Sequence, residues 1–168
     1  MTACAYVPRL MVSGDIPDVV LIDRLCEPEE PLSETSLKEL LRSDRNLTAI
    51  VIYDPFRGVL GFAIYKFYSR SLSVERLAVH PQWRRFGFGA ALARKMMGRL
   101  DSKARRRWLV AWIPERYLPG GARFWQALGA GEASLHTPHD SEPLVRMVYR
   151  PPAAEGTALS SSTGQVDS

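Results

Sequence analysis

The segment that decides the fold is Leu77-Ala-Val-His-Pro-Gln-Trp-Arg-Arg-Phe-Gly-Phe-Gly-Ala-Ala-Leu92. It starts in a β-rich run and ends where apolar residues recur every three to four positions, so it predicts a strand, a glycine loop and a helix. The first amides of a helix lack intrahelical acceptors and lie at the positive end of its dipole, where they bind anions. Gly87 and Gly89 allow the backbone to approach a phosphate closely. Arg84 and Arg85 add positive charge, so the segment predicts a phosphate-binding loop.

Two other phosphate-binding loops do not fit this segment. The dinucleotide fingerprint Gly-x-Gly-x-x-Gly needs a third glycine at the position of Leu92. The Walker loop needs Gly-Lys followed by Ser or Thr, a combination that the chain does not contain. A basic surface loop with ordinary turn glycines remains the alternative interpretation, and the residues around the loop decide between the two.

The flanking residues predict a mixed α/β domain. Three β-rich runs precede the loop, and the turn composition Asp-Pro-Phe-Arg-Gly between the first two indicates an antiparallel meander. Asp15 with Pro17, and Ser33, are start signals for two helices ahead of these runs. The three β-rich runs are predicted strands 47–53, 59–68 and 72–79. The elements predicted after them are helix 89–100, strand 108–113, helix 121–128 and strand 144–150.

Length and composition predict one globular domain with a tail. Hydrophobic residues make up 46% of the 168 residues and charged residues 24%, a balance that allows one packed core. We expect a domain over residues 1–150 and a disordered tail over residues 151–168, because the small polar residues of the tail have little apolar surface to bury. Neither a signal sequence nor an apolar run near the roughly 20 residues of a membrane span is present, so we expect a cytoplasmic protein without a membrane partner.

The net charge of +4 suits an anionic partner, and one cluster of basic residues resembles a nucleic-acid patch. A helix exit often carries solvated cations, and neither a recognition fold nor an aromatic stacking platform accompanies these residues. We therefore do not expect nucleic acid as the main partner. The cluster consists of Arg94, Lys95, Arg99, Lys103, Arg105, Arg106 and Arg107.

Neither the cysteines nor the histidines have the spacing of a metal site. Cys4 and Cys26 are predicted to be free thiols. His136 and His139 fall in a predicted Pro-containing loop and form no ligand pattern. Histidine is a common proton-transfer residue, but His80 lies in the His-Pro turn after a strand and we assign it no role. No metal is expected.

The loop resembles the pyrophosphate loop of the GNAT acetyltransferases, which follows the pattern Arg/Gln-x-x-Gly-x-Gly/Ala. Arg84-Arg-Phe-Gly87-Phe-Gly89 matches this pattern in register. Leu77-Ala-Val-His-Pro81 is similar to the family's fourth strand, whose splayed end contacts the pantetheine arm and the thioester carbonyl. The order of predicted elements is similar to that of the family over residues 6–150. The resemblance therefore extends from the loop to nearly the whole domain.

Three further segments are similar to one branch of the family, the ribosomal-protein N-terminal alanine acetyltransferases. These segments are Arg45-Asn-Leu, Gly61-Phe-Ala-Ile-Tyr65 and Ala78-Val-His-Pro81.

The resemblance implies the GNAT fold, a mixed and mostly antiparallel sheet of six to seven strands flanked by about four helices. It also implies an N-acetyltransferase that takes an acetyl group from acetyl-CoA and gives it to a primary amine, for which a protein N-terminus is one candidate. Ten residues are expected to bind acetyl-CoA: Leu77, Ala78, Val79, Arg84, Arg85, Phe86, Gly87, Phe88, Gly89 and Ala90.

The usual proton-transfer residues of that branch have no counterpart here. The branch uses a glutamate on the fifth strand as general base, through water, and a tyrosine on the following helix as general acid. Alignment puts Ala111 at the glutamate position and Trp125 at the tyrosine position. These replacements favour a second hypothesis, a non-catalytic acyl-CoA-binding or regulatory module. A basic nucleic-acid-binding protein is a third.

An active enzyme needs other residues for the two proton transfers. Glu75 is the candidate base, because strand carboxylates near this place serve as base in other GNAT members. It lies two residues before Leu77, which predicts that the two share one face of the strand. Tyr117 is the candidate acid, since a phenol with a pKa of about 10 can protonate a thiolate. Glu115 is a rival to Tyr117 in this role.

Overall fold

The computed structural model describes residues 6–100, 107–138 and 142–152. Seven strands form one sheet in the order β1-β2-β3-β4-β5-β7-β6. The strands are β1 (Arg9–Leu10), β2 (Leu47–Asp54), β3 (Gly58–Phe67), β4 (Ser71–Val79), β5 (Trp108–Pro114), β6 (Gly131–His136) and β7 (Leu144–Tyr149). The α-helices are α1 (Ile16–Cys26), α2 (Glu34–Ser43), α3 (Phe88–Met97) and α4 (Gly120–Ala127), and short 3-10 turns cover Pro81–Trp83 and Glu115–Tyr117.

The predicted mixed and mostly antiparallel sheet is confirmed, with two strands added. β1 has only two residues, too few to show an alternating pattern. β6 contains no β-branched residue, and its pairing with β7 gives it strand structure. His136 is therefore the last residue of a strand, and its prediction as a loop residue was wrong. His139, Cys4, residues 101–106 of the basic cluster and residues 153–168 of the predicted tail lie outside the described residues.

Helices cover both faces of the sheet and create two groups of buried side chains. On one face, α3 packs its Leu92 and Met96 against Leu60, Leu72 and Leu109 of the sheet. The other group joins α1 and α2 to β2 and β3, and its buried members include Val19, Ile22, Leu37, Val51 and Phe62. Full burial of one such side chain stabilises the fold by about 1.5–3 kcal/mol, so these two groups hold the helices on the sheet.

The sheet opens between its two central strands. β4 and β5 are parallel and pair from Ser71 with Trp108 to Val74 with Ala111. After the Val74–Ala111 pair, β4 continues to Val79 and β5 continues to Pro114. The described register contains no pairing between these two end segments. We call the space between residues 75–79 and 112–114 the wedge. It ends beside the N-terminus of α3 and positions the candidate site.

The first testable prediction concerns the start of α2. The Ser33 hydroxyl accepts a hydrogen bond from the Ser36 amide at 3.0 Å, as the sequence predicted for a cap. Ser33→Ala should lower the free energy of unfolding by about 1 kcal/mol, because it leaves this amide without a protein acceptor. Urea unfolding measures the change. The matched control is Ser43→Ala, which removes an exposed hydroxyl at the other end of the helix and should change the stability by less than about 0.5 kcal/mol. Equal losses would contradict the capping role.

Candidate active site

A His-Pro turn connects β4 to the glycine loop. The Nδ1 atom of His80 accepts a hydrogen bond from the Gln82 amide at 3.2 Å, and the His80 carbonyl accepts one from the Trp83 amide at 2.8 Å. These bonds fix the 3-10 turn that directs the chain from the strand toward α3. His80 is thus a turn residue, which agrees with the absence of a catalytic role in the sequence interpretation.

The N-terminus of α3 is shaped for an anion. Gly87 has a φ of 84°, a left-handed conformation that favours glycine, and no side chain caps the helix that follows it. The Ala91 amide makes the first bond back to Gly87, at 3.0 Å. The amides of Phe88, Gly89 and Ala90 precede this bond and have no acceptor within the helix, so they are available to phosphate oxygens.

Gly89 is needed for packing. A Cβ atom at this position would lie 3.3 Å from a ring carbon of Phe124 on α4 and 3.7 Å from a methyl group of Val79. The sequence interpretation attributed the small size of Gly89 to close approach by a phosphate. The structure adds a separate reason, which is the contact of α3 with α4 and the end of β4.

The Arg84 side chain ties the loop to the end of β4. Its Nε atom donates to the Val79 carbonyl at 3.3 Å, and its Nη2 atom lies 3.2 Å from the Sγ atom of Cys26 at the end of α1. Cys26 is a free thiol, as expected, and its Sγ atom lies 3.6 Å from the same carbonyl. Arg84 therefore joins loop, strand and helix. The neighbouring Arg85 has a φ of 70°, a left-handed conformation that is strained for a residue other than glycine.

Glu75 lies at the narrow end of the wedge, on a β-bulge. Tyr65 pairs with Val74 and Ile64 with Arg76, so Glu75 is an extra residue without a partner on β3. Val74 and Leu77 both pack against the core beneath α3, while Arg76 reaches Asp23 of α1 at 3.3 Å on the opposite face. The bulge thus interrupts the alternation on which the predicted shared face of Glu75 and Leu77 depended. The shared face therefore stays a prediction, and the Glu75 side chain is exposed.

Charge effects agree with this position of Glu75. The pKa of Lys66 is raised mainly by its hydrogen bond to Asp44, which follows α2, and to a smaller degree by the charge of Glu75. The Glu75 carboxylate is therefore close enough to Lys66 for its charge to raise the pKa of that side chain.

Tyr117 follows β5 in a 3-10 turn on the other side of the wedge. Its hydroxyl donates to the Cys26 carbonyl at 3.1 Å. Its pKa is raised, chiefly because burial disfavours the charged phenolate, although the nearby Arg116 opposes this. The phenol consequently keeps its proton at neutral pH. Glu115, its rival, is exposed, and its amide donates to the Pro143 carbonyl at 3.0 Å.

Arg116 forms a bridge that the sequence analysis missed. Its guanidinium contacts Glu27 at 3.1 Å and also contacts Glu142, while its amide donates to Glu142 at 2.6 Å. We call the group of Cys26, Glu27, Arg116, Tyr117 and Glu142 the strap. It connects the end of α1 with the β5–α4 and β6–β7 connections. The two carboxylates lie 89 and 26 residues from Arg116 in sequence, so no local pattern indicates these contacts.

The two residues that the sequence analysis aligned with the catalytic positions of the family lie in the core. Ala111 is 2% exposed and pairs with Val74 on one side and Met147 on the other. Trp125 is 3% exposed, and its ring packs edge-on against Phe124 with centroids 5.2 Å apart. Neither side chain is an acid or a base, so any proton transfer depends on other groups.

The described residues contain neither a possible metal site nor a helix that could span a membrane. Within residues 6–100, 107–138 and 142–152, no His, Cys, Asp and Glu side chains gather in threes or more to form a possible metal site. None of the helices in these same ranges is both long enough and apolar enough to span a bilayer.

A family profile matches the region that contains this site. The profile described as the acetyltransferase (GNAT) family matches residues 18–130, which include β4, the glycine loop, α3 and the wedge. The chain belongs to the GNAT acetyltransferase family. Members of this family are acetyl-CoA-dependent N-acetyltransferases, so the predicted resemblance is confirmed at the family level. No curated protein sequence matches the chain significantly.

Solved GNAT structures share the fold at low sequence identity. The ribosomal-protein-S18-alanine N-acetyltransferase from Escherichia coli is 18% identical, with a TM-score of 0.70 over 89% of this chain and 97% of that one. A GNAT superfamily phosphinothricin acetyltransferase from Sinorhizobium meliloti, in complex with acetyl-CoA, is 20% identical, with a TM-score of 0.70 over 86% and 87%. NAA60 of Arabidopsis thaliana with acetyl-CoA is 12% identical, with a TM-score of 0.70 over 85% and 97%. At these identities the likeness shows the fold.

Proposed function

We propose that this protein transfers the acetyl group of acetyl-CoA to the N-terminal amine of a polypeptide. The observation that carries the proposal is the wedge, which opens at the Val74–Ala111 pair and leads to the uncapped N-terminus of α3. Phosphate oxygens would bind the amides of Phe88, Gly89 and Ala90. The thioester arm would lie along the free edge of β4.

The proposed donor site uses the ten residues expected from the sequence. Leu77, Ala78 and Val79 would contribute backbone groups of β4, which have no partner on β5 in the described register. Arg84 to Ala90 would form the pyrophosphate loop. In this assignment the amides and the positive helix end bind the phosphates, and Arg84 also keeps the loop attached to β4 and α1.

The proposed reaction is direct transfer within a ternary complex. The amine nitrogen attacks the thioester carbonyl carbon, the new C–N bond forms, and the C–S bond breaks so that CoA leaves as a thiolate. An α-ammonium group with a pKa of about 8 is largely protonated at neutral pH and must first lose a proton. Glu75 would accept that proton from its exposed position at the narrow end of the wedge. Tyr117 would donate a proton to the thiolate.

A second function remains as a competing proposal, a non-catalytic acyl-CoA-binding module. It is favoured by the core positions of Ala111 and Trp125 and by the hydrogen bond that engages the Tyr117 hydroxyl. Calorimetry with acetyl-CoA, followed by an assay of CoA release with a panel of amines and Ala-start peptides, separates the two. Saturable binding together with peptide-dependent CoA release supports the enzyme. Binding without turnover of any amine supports the module.

The second testable prediction concerns the general acid. Tyr117→Phe should lower kcat about 100-fold at pH 7, because the leaving thiolate loses its proton donor. The difference from the unaltered protein should shrink above about pH 8.5, the usual pKa of a thiol, where the thiolate leaves without help. A pH series of CoA release measures both effects. Tyr68→Phe, which alters another exposed phenol, is the control. A decrease in kcat of equal size at every pH would indicate that Tyr117 acts only through its hydrogen bond to the Cys26 carbonyl in the strap.

A further inference from the structure

Three neighbouring strands place an aromatic and two basic side chains beside the wedge. Trp112 of β5 follows Ala111, the last residue that pairs with β4, and its own partner on β7 is Arg146. The guanidinium carbon of Arg146 lies 5.9 Å from the centroid of the indole ring. The ring of His136 on β6 lies 5.7 Å from the same indole. We call these three residues the Trp112 cluster.

The cluster lies on the α1 side of the sheet. Ala111 and Ile113 of β5 belong to the core beneath α3 and α4, so Trp112 between them faces the other way. Val145 and Met147 likewise flank Arg146 on β7 and belong to that core. Trp112 as a whole residue is 37% exposed. A molecule that approaches the wedge from the α1 side therefore meets the cluster.

Arg146 is held in place while its charge stays available. Its contact with the indole is a cation–π interaction, which orients the guanidinium without using its N–H groups. Within the described part of the chain no carboxylate lies within ion-pair distance of Arg146, whereas Arg116 contacts both Glu27 and Glu142. A guanidinium that lies against an aromatic face, and whose N–H groups bond to none of the described residues, is well suited to bind a carboxylate.

We propose that the Trp112 cluster binds an acidic side chain of the acceptor peptide, with Arg146 as its main contact. This inference rests on the proposed function and names the acceptor class, an N-terminus with Asp or Glu at the second or third residue. The charges match such a peptide. The negative charge of Glu75 at the wedge would attract the α-ammonium group, and the positive charge of Arg146 would attract the acidic side chain of the peptide.

Distance favours a peptide over a free amino acid. Strands are about 4.8 Å apart, so β7 lies between one and two spacings, about 5–10 Å, from the wedge. The carboxylate of an α-amino acid lies much closer than this to its own amine. An extended chain advances about 3.3–3.6 Å per residue, so the side chain of the second or third residue reaches Arg146.

The test compares two peptides that differ by one group, an Ala-Glu start and an Ala-Gln start on the same eight-residue scaffold. With the unaltered protein, kcat/KM from CoA release should be at least about tenfold higher for the Glu peptide, as expected for a hydrogen-bonded ion pair. Arg146→Gln should reduce this ratio to about one without changing the KM for acetyl-CoA. Arg42→Gln, on the exposed side of α2, should keep the tenfold ratio. Equal rates for the two peptides with the unaltered protein would overturn the proposal.

A binding measurement keeps the subsite testable without turnover. Calorimetry of each peptide against the protein–CoA complex should show about tenfold tighter binding of the Glu peptide, lost in Arg146→Gln. Preferential binding without turnover supports the subsite and contradicts the proposed function. Turnover without preference supports the proposed function and contradicts the subsite. Free glutamate that outcompetes both peptides would overturn the assignment to a peptide.

Discussion

Gly87→Val should weaken acetyl-CoA binding at least about 100-fold. A β-branched residue is strained at the observed φ of 84°, so the chain would have to leave the left-handed conformation that begins α3. The amides of Phe88, Gly89 and Ala90 would then no longer converge on the phosphates. The loss of two charge-assisted hydrogen bonds, at about 1.5 kcal/mol or more each, corresponds to such a decrease. Isothermal titration calorimetry measures the dissociation constant.

Gly87→Asn is the matched control. A Cβ atom at residue 87 would have no neighbour within 4 Å, so there is space for a side chain. Only the left-handed backbone conformation limits which residue can occupy this position. Asparagine adopts left-handed conformations more readily than other non-glycine residues, and this variant should keep its affinity within a few-fold. Circular dichroism establishes that both variants are folded. Unchanged affinity in folded Gly87→Val would rule out this loop as the phosphate site.

Gly89 is a poorer position for the same test. Any side chain there would press against Phe124, so a loss of binding could follow from displacement of α4 as well as from blocked amides. A double substitution at Gly87 and Gly89 should also abolish binding, but only the Gly87 pair of variants separates conformation from packing.

Glu75→Gln should lower kcat about 100-fold or more, with little change in acetyl-CoA affinity. The amide keeps the size of the side chain and cannot accept the proton of the attacking ammonium, and general-base catalysis commonly contributes this factor. Higher pH should recover part of the rate, because the fraction of neutral amine rises toward the pKa of the α-amino group, about 8. Initial rates of CoA release with an Ala-start peptide, measured across pH, provide the test.

Glu39→Gln on the exposed side of α2 serves as the control, since it removes the same charge outside the wedge. If the Glu75 and Glu39 variants are equally active, water or another group accepts the proton and the assignment of Glu75 fails. The Gly87 and Glu75 experiments thus separate the two parts of the proposed function. The first tests the donor site, and the second tests the chemistry.

The position of the candidate site follows from sequence because the residues that define it are neighbours in the chain. Gly87 begins a helix in a conformation that favours glycine, and Ser33 caps another through a bond to Ser36 three residues away. Such features depend on backbone preferences and on contacts within one turn. A short stretch of sequence is enough to determine both. The loop, the strand before it, the helix after it and the family resemblance all followed from segments of this kind.

The tertiary structure decided the features that depend on pairing between distant segments. The bulge at Glu75 arises from the register of β3 against β4, which local alternation does not reveal. The strap requires Glu27 and Glu142 to meet Arg116, and the Trp112 cluster requires β5, β7 and β6 to be neighbours. The sequence determined where the proposed anion site lies, because one turn of chain forms it. Only the fold determined which side chains surround the proposed acceptor site, because strand order and register bring them together.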